Sequence, residues 1–171
     1  MKSVIAVLAL IALTTSEVVA QSHSPVVSGW RNPTAAELGT AEDQQWRDPD
    51  PARYLFLIGD FDGDGKPDEA RLMVRDDGKA FALFVKLAAR DTVVKLDEFP
   101  DIKMLPSMGI KRVAPAEYPT ACARGLDCAE DEPRYIRVTH DAIDYFQHDV
   151  VDRYYYWSDS RHAFAQVGIN G

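Results

Sequence analysis

The chain has 171 residues, of which 46% are hydrophobic, enough for one domain with one core and a tail. Its formal net charge of −8 argues against nucleic acid as a partner, because an acidic surface repels a phosphate backbone. Membrane binding is not expected either: no basic run suits an anionic surface, and no internal apolar stretch is long enough to span a bilayer.

Residues 1–20 read as a signal peptide. Lys2 supplies the positive region, Val4 to Leu13 the apolar centre, and Val18-Val19-Ala20 before Gln21 a cleavage site. The apolar centre is roughly ten residues long, whereas a spanning helix needs about 20. Lys2 and Glu17 would leave together, so the mature chain keeps its acidic balance. The expected location is periplasmic or secreted.

Residues 21–52 form an N-terminal segment, polar at first. Asn32-Pro33-Thr34 predicts the start of a short helix through Ala35-Ala36-Glu37-Leu38, with Asn as cap and Pro in the first turn. A resumption is expected near Glu42 to Trp46, ended by Arg47-Asp48-Pro49-Asp50-Pro51.

Residues 53–171 read as a β-rich domain. Arg53 to Ile58 is apolar and rich in strand formers, and Ala70 to Arg75 partly alternates. Asp76-Asp77-Gly78-Lys79 predicts a hairpin turn, returning as the strand Phe81 to Leu87, with another at Thr92 to Leu96. Pro100 to Pro133 reads as a long proline-rich loop with one short strand at Ile110 to Val113. Cys122 and Cys128 sit within it. Export predicts a disulfide between them, since no second Cys pair or nearby His would complete a zinc site. Strands are then expected at Arg134 to Val138, Asp141 to Phe146, Arg153 to Trp157 and Ala163 to Ile169. Short strands, polar turns and no alternating helices predict a mainly β fold, or α+β at most, with an antiparallel sheet and no internal repeat.

One segment carries sharp chemistry. Gly59-Asp60-Phe61-Asp62-Gly63-Asp64-Gly65-Lys66-Pro67-Asp68 has Asp at relative positions 1, 3, 5 and 9 and Gly at position 6. Calcium takes six to eight oxygens, and alternate carboxylates on a tightly curved loop can all point inward. Asp60, Asp62, Asp64 and Asp68 are the expected carboxylate ligands, with the backbone carbonyl of Lys66 as a further oxygen. Calcium is favoured over magnesium, which demands a tighter octahedron. The helix–loop–helix calcium hand is excluded, because position 12 is Arg71 where that motif has a bidentate Glu, and the flanks are strand-like.

This loop resembles the single calcium loops that join two strands in FG-GAP/VCBS-type repeats. The likeness covers about ten residues, and it implies an ion that staples a hairpin and performs no chemistry. More broadly, the order of features across residues 46–169 resembles small periplasmic immunity proteins and lysozyme inhibitors. That order is a Trp-containing segment, the acidic hairpin, a Cys-bearing loop, then Ala142-Ile143-Asp144-Tyr145, Tyr155-Tyr156-Trp157 and Phe164-Ala165-Gln166-Val167. This resemblance implies a protein partner that cleaves the cell wall.

No catalytic motif stands against it. His23, His140, His148 and His162 form no metal-binding pair, Gly-x-Ser-x-Gly is absent, and no phosphate-cradling glycine loop is present. On a strand, Tyr154 and Tyr156 would share one face and Tyr155 and Trp157 the other; one face fills the core, and the second is either covered or a binding surface. The expected role is therefore a calcium-binding, non-enzymatic binding module, an inhibitor or immunity protein against a cell-wall hydrolase. The alternative is an envelope-acting hydrolase with a structural calcium site.

Overall fold

The computed structural model describes residues 27–126, 128 and 131–170; the predicted signal peptide lies outside them. Two antiparallel sheets pack face to face, and a hairpin covers the outside of one. The first sheet contains β1 (Trp30–Arg31), β2 (Phe56–Gly59), β3 (Asp68–Arg75), β4 (Phe81–Leu87) and β5 (Thr92–Phe99). Its order is β1-β3-β4-β5, with β2 also paired to β3 beyond β1. The second sheet contains β6 (Met108–Val113), β9 (Ala142–Gln147), β10 (Val151–Ser158) and β11 (Ala163–Asn170), in the order β11-β10-β9-β6. β7 (Ala116–Pro119) and β8 (Tyr135–Val138) form the covering hairpin.

Period-two alternation explains the layering. Ala70, Leu72 and Val74 of β3 and Phe81, Leu83, Val85 and Leu87 of β4 face Met108, Ile110, Ile143, Tyr145, Tyr155 and Trp157 of the second sheet, forming the main core. Met73, Ala82 and Phe84 face outward and are covered by Val27 and Trp30, with Trp30 edge-on to Phe84 at 5.0 Å. β3 is buried on both faces for this reason, which is why its sequence alternates only in part. Tyr154 and Tyr156 pack with Val167 and Ile169 beneath Ile136 and Val138 of the hairpin. The aromatic run of β10 is thus covered on both faces.

The mainly β expectation holds, but the expected N-terminal helix is reduced to isolated 3-10 turns, Ala35–Leu38 and Gln45–Arg47. Its cap is Thr34 rather than Asn32. The Thr34 hydroxyl accepts from the Glu37 amide while the Glu37 carboxylate accepts from the Thr34 amide, a complete capping box. Glu37 is held further by Arg31, at 2.6 Å and 2.8 Å, and that pairing lowers its carboxyl to about 2.

Arg47 anchors this segment. It is fully buried and donates to the carbonyls of Arg53, Leu105 and Met108. Burial lowers its guanidinium to about 10, so it remains charged at neutral pH, solvated by carbonyl oxygens in place of water.

The stretch read as one long loop is more ordered than expected. β6 extends two residues earlier, β7 pairs with β8, and 3-10 turns run through Ile102–Ser107 and Cys122–Arg124. Cys122 and Cys128 are joined as a disulfide, with Cα atoms 5.4 Å apart.

Candidate metal centre

The acidic loop joins β2 to β3 at one end of the sandwich. Gly59 pairs with Asp68 across the hairpin, which closes the loop at its base. Phe61 points inward and is fully buried, so the loop is anchored in the core. Gly63 and Gly65 both adopt positive φ, +74° and +82°, which costs residues with a Cβ roughly 1–2 kcal/mol. These bends turn the carboxylates of Asp60 and Asp62 back toward Asp68.

Oxygens of Asp60, Asp62 and Asp68 all lie within 4.8 Å of one another. Two oxygens bound on opposite sides of a cation at about 2.4 Å are separated by about 4.8 Å, so one ion can reach all three. Backbone amides fix two of the carboxylates. Asp68 accepts from Phe61 N at 3.0 Å and from Ala88 N at 2.8 Å, and Asp60 accepts from Gly65 N at 3.0 Å through Oδ2. Asp60 Oδ1 and both oxygens of Asp62 are buried without a hydrogen-bond donor. Burial is the largest effect on Asp68 and raises its pKa. The charges of Asp62 and Asp64 act in the same direction, against the two amide bonds. A cation at the centre would reverse that balance.

The other two expected residues sit on the outer turn. Asp64 is exposed, its Oδ1 accepts from Lys66 N at 2.8 Å, and it does not join the converging three. Lys66 is exposed beside it.

Three residues from distant elements complete the surroundings. Arg90, in the turn between β4 and β5, places Nε 3.5 Å from Asp62 Oδ2, and its guanidinium lies 5.0 Å from the Trp157 ring centre. Asp141, just before β9, exchanges backbone contacts with Asp60: its amide donates to Asp60 O at 3.1 Å, and its Oδ2 accepts from Asp60 N at 3.1 Å. The imidazole of His140 packs directly on Gly63, where a Cβ would lie 2.2 Å from it, and Nε2 sits 3.0 Å from Asp159 Oδ1. The loop therefore meets both sheets. No sequence signal announces these contacts, since each depends on tertiary folding.

The chain matches no known family model, and no curated protein or solved structure matches it. The geometry alone supports a cation site. Elsewhere, His148 and Asp149, which strand alternation would separate, lie in the β9–β10 turn with Nε2 and Oδ2 3.4 Å apart; His148 stacks on Trp46 at 4.8 Å.

Proposed function

We propose that this is an exported, calcium-stapled β-sandwich that works by binding a protein partner, with no catalytic step of its own. The observation that carries the calcium reading is Asp62. Its side chain is fully buried, its two oxygens have no hydrogen-bond donor, the half-exposed Arg90 at 3.5 Å is the cation beside them among the described residues, and they face two further carboxylates. A buried carboxylate without a donor costs several kcal/mol, and an ion among three of them removes that cost. An all-oxygen donor set suits a hard cation. Calcium suits it better than magnesium because backbone amides already fix Asp60 and Asp68 in an irregular arrangement.

The ion's role in this reading is structural. It binds the folded loop and so stabilises it, by about 2.7 kcal/mol at a concentration one hundred times Kd. Titration calorimetry with calcium and, separately, magnesium tests this. Calcium should give a saturable one-site isotherm, magnesium a weaker one, and EDTA should lower the melting temperature of protein purified with calcium. No heat with either ion and no EDTA effect would remove the site.

The proposed partner is a basic cell-wall hydrolase. Support comes from the net charge of −8, since opposite charges speed encounter. A disulfide is compatible with an oxidising compartment, in keeping with export. Pull-down from periplasmic extract, with and without chelator, should return a hydrolase in stoichiometric amount. Peptidoglycan turnover by the purified protein alone would replace this reading with the enzymatic one.

A further inference from the structure

Where the two sheets come together at β2 and β6, their edge strands border an open groove of about 570 Å³. On a chain with an excess of acidic residues, this groove is lined by Arg53, Arg71, Lys111 and Arg112, with Asp50 the one carboxylate among its lining residues. The Asp50 carboxylate is already engaged by the Ala52 amide at 2.8 Å. Arg71 pairs with Glu69 at 3.3 Å, and Arg112 with Asp141 at 3.7 Å. Among the described residues, Arg53 and Lys111 have no carboxylate within ion-pair distance.

The cations are held over aromatic rings. Arg71 lies 4.0 Å above Phe56, Arg53 4.9 Å above Tyr54, and Lys111 4.0 Å above Phe146. Tyr54 adopts φ +69°, a conformation that costs a tyrosine roughly 1–3 kcal/mol. Its ring, stacked on Trp46 at 5.5 Å, forms part of the groove wall.

The backbone adds a second requirement. β2 pairs with β3 alone. The Leu55 carbonyl accepts from Leu72 N, so in an antiparallel ladder Leu55, Leu57 and Gly59 address β3, while Phe56 and Ile58 turn their amide and carbonyl groups the other way. That edge is free only at Phe56 and Ile58, because the Tyr54 carbonyl before them accepts from Ile110 N at 2.8 Å and Asp60 after them is bonded through its amide and carbonyl to Asp141. Ile58, beside the groove, is 50% exposed. An unpaired strand edge recognises an extended main chain, and cations beside it recognise acidic side chains.

We infer that the β2–β6 groove docks a short, acidic, extended segment of a partner protein, hydrogen-bonded to the main chain of β2 at Phe56 and Ile58, with Arg53 and Lys111 as its principal charge contacts. This goes beyond the calcium reading and does not depend on it. The test is fluorescence anisotropy with a labelled octapeptide alternating Glu and Val. The comparison ligands are a Lys–Val octapeptide, the Glu–Val peptide N-methylated on alternate residues, and an oligogalacturonate.

The Glu–Val peptide should bind at least about tenfold tighter than the Lys–Val peptide, with affinity falling as salt rises. N-methylation should abolish binding if the main chain pairs with β2. The double variant R53E/K111E should weaken binding roughly tenfold or more while the calcium isotherm stays intact, which separates a lost groove from a misfolded chain. Equal binding of both charge patterns, no effect of the double variant, undiminished binding of the N-methylated peptide, or preferential binding of the oligogalacturonate would each overturn the proposal.

Discussion

Two places in this molecule bury a carboxylate without donors enough to satisfy it, and their surroundings differ. At the β2–β3 loop, Asp60, Asp62 and Asp68 share one centre, and Asp68 is tied to backbone amides. On the outer face of β9, Asp144 is alone. It is buried with Oδ1 unpartnered, opposite Tyr154 on β10 and Lys111 on β6. Burial first, then the charge of Asp152, pushes Asp144 up to about 7, against the opposing pull of Lys111. A lone buried carboxyl is relieved by a proton, whereas three converging carboxylates could share a cation.

The largest expected effect tests the cation side. Asp62→Asn keeps the shape of the side chain and removes its charge from the centre. Calcium affinity should fall by about a hundredfold or more, and the melting temperature should lose its response to EDTA. A hundredfold loss is about 2.7 kcal/mol of ion-linked stability at concentrations that saturate the wild type. Calorimetry and thermal melts read both outcomes. An unchanged isotherm would show that the buried oxygens of Asp62 do not touch the ion.

The proton side has a pH signature. Asp144 binds its proton more tightly folded than unfolded, where a free Asp titrates near 3.8. Below that value both states are protonated and the group contributes nothing. As pH rises toward about 7, the unfolded chain releases the proton and the folded one retains it, so stability falls across that window and stays low above it. Asp144→Asn removes this dependence and should raise stability at pH 8 by about 2 kcal/mol or more: each tenfold difference in proton affinity between the folded and unfolded chains is worth about 1.4 kcal/mol, and the span from 3.8 to about 7 sets an upper bound of about 4 kcal/mol. Chemical denaturation of both proteins at pH 5 and pH 8 measures it. A variant with the same pH slope as the wild type would move the titration elsewhere.

The contrast also explains how much was legible in the amino-acid sequence. Asp60 to Asp68 is local: alternating acids and two glycines in one loop specify a curved acidic turn, and the flanking strands follow from β-branched and aromatic residues. Asp144 lies in Ala142-Ile143-Asp144-Tyr145, where period-two alternation gives it an outward face and hides its burial, because the β7–β8 hairpin that covers this sheet is joined through a proline-rich stretch that reads as loop. The helix start at Asn32-Pro33 misled for a related reason. Of Asn32, Pro33 and Thr34, Thr34 alone has an acidic residue three positions on to complete a cap, and prolines at 49 and 51 and the docking of Arg47 in the core leave room for single turns alone. Arg90, Asp141 and His140 reach the acidic loop only after the sheets assemble, so nothing in their own sequence surroundings marks them.

The smallest effect sharpens the comparison most, because it concerns a cation already beside the acidic centre. Arg90 stands 3.5 Å from Asp62, half exposed, with its guanidinium above Trp157. A metal ion entering among Asp60, Asp62 and Asp68 must displace that partial neutralisation. Arg90→Ala should therefore tighten calcium binding by a few-fold, since a pair whose arginine is half exposed and whose aspartate is buried is worth on the order of 1 kcal/mol. It should also lower the stability of the calcium-free protein slightly, so the stabilisation produced by calcium grows from both sides. Trp157 offers a direct readout: calcium should change tryptophan emission in the wild type as the guanidinium leaves the ring, and the change should shrink in the variant. Weaker binding in Arg90→Ala would assign Arg90 the opposite role, that of orienting Asp62 toward the ion.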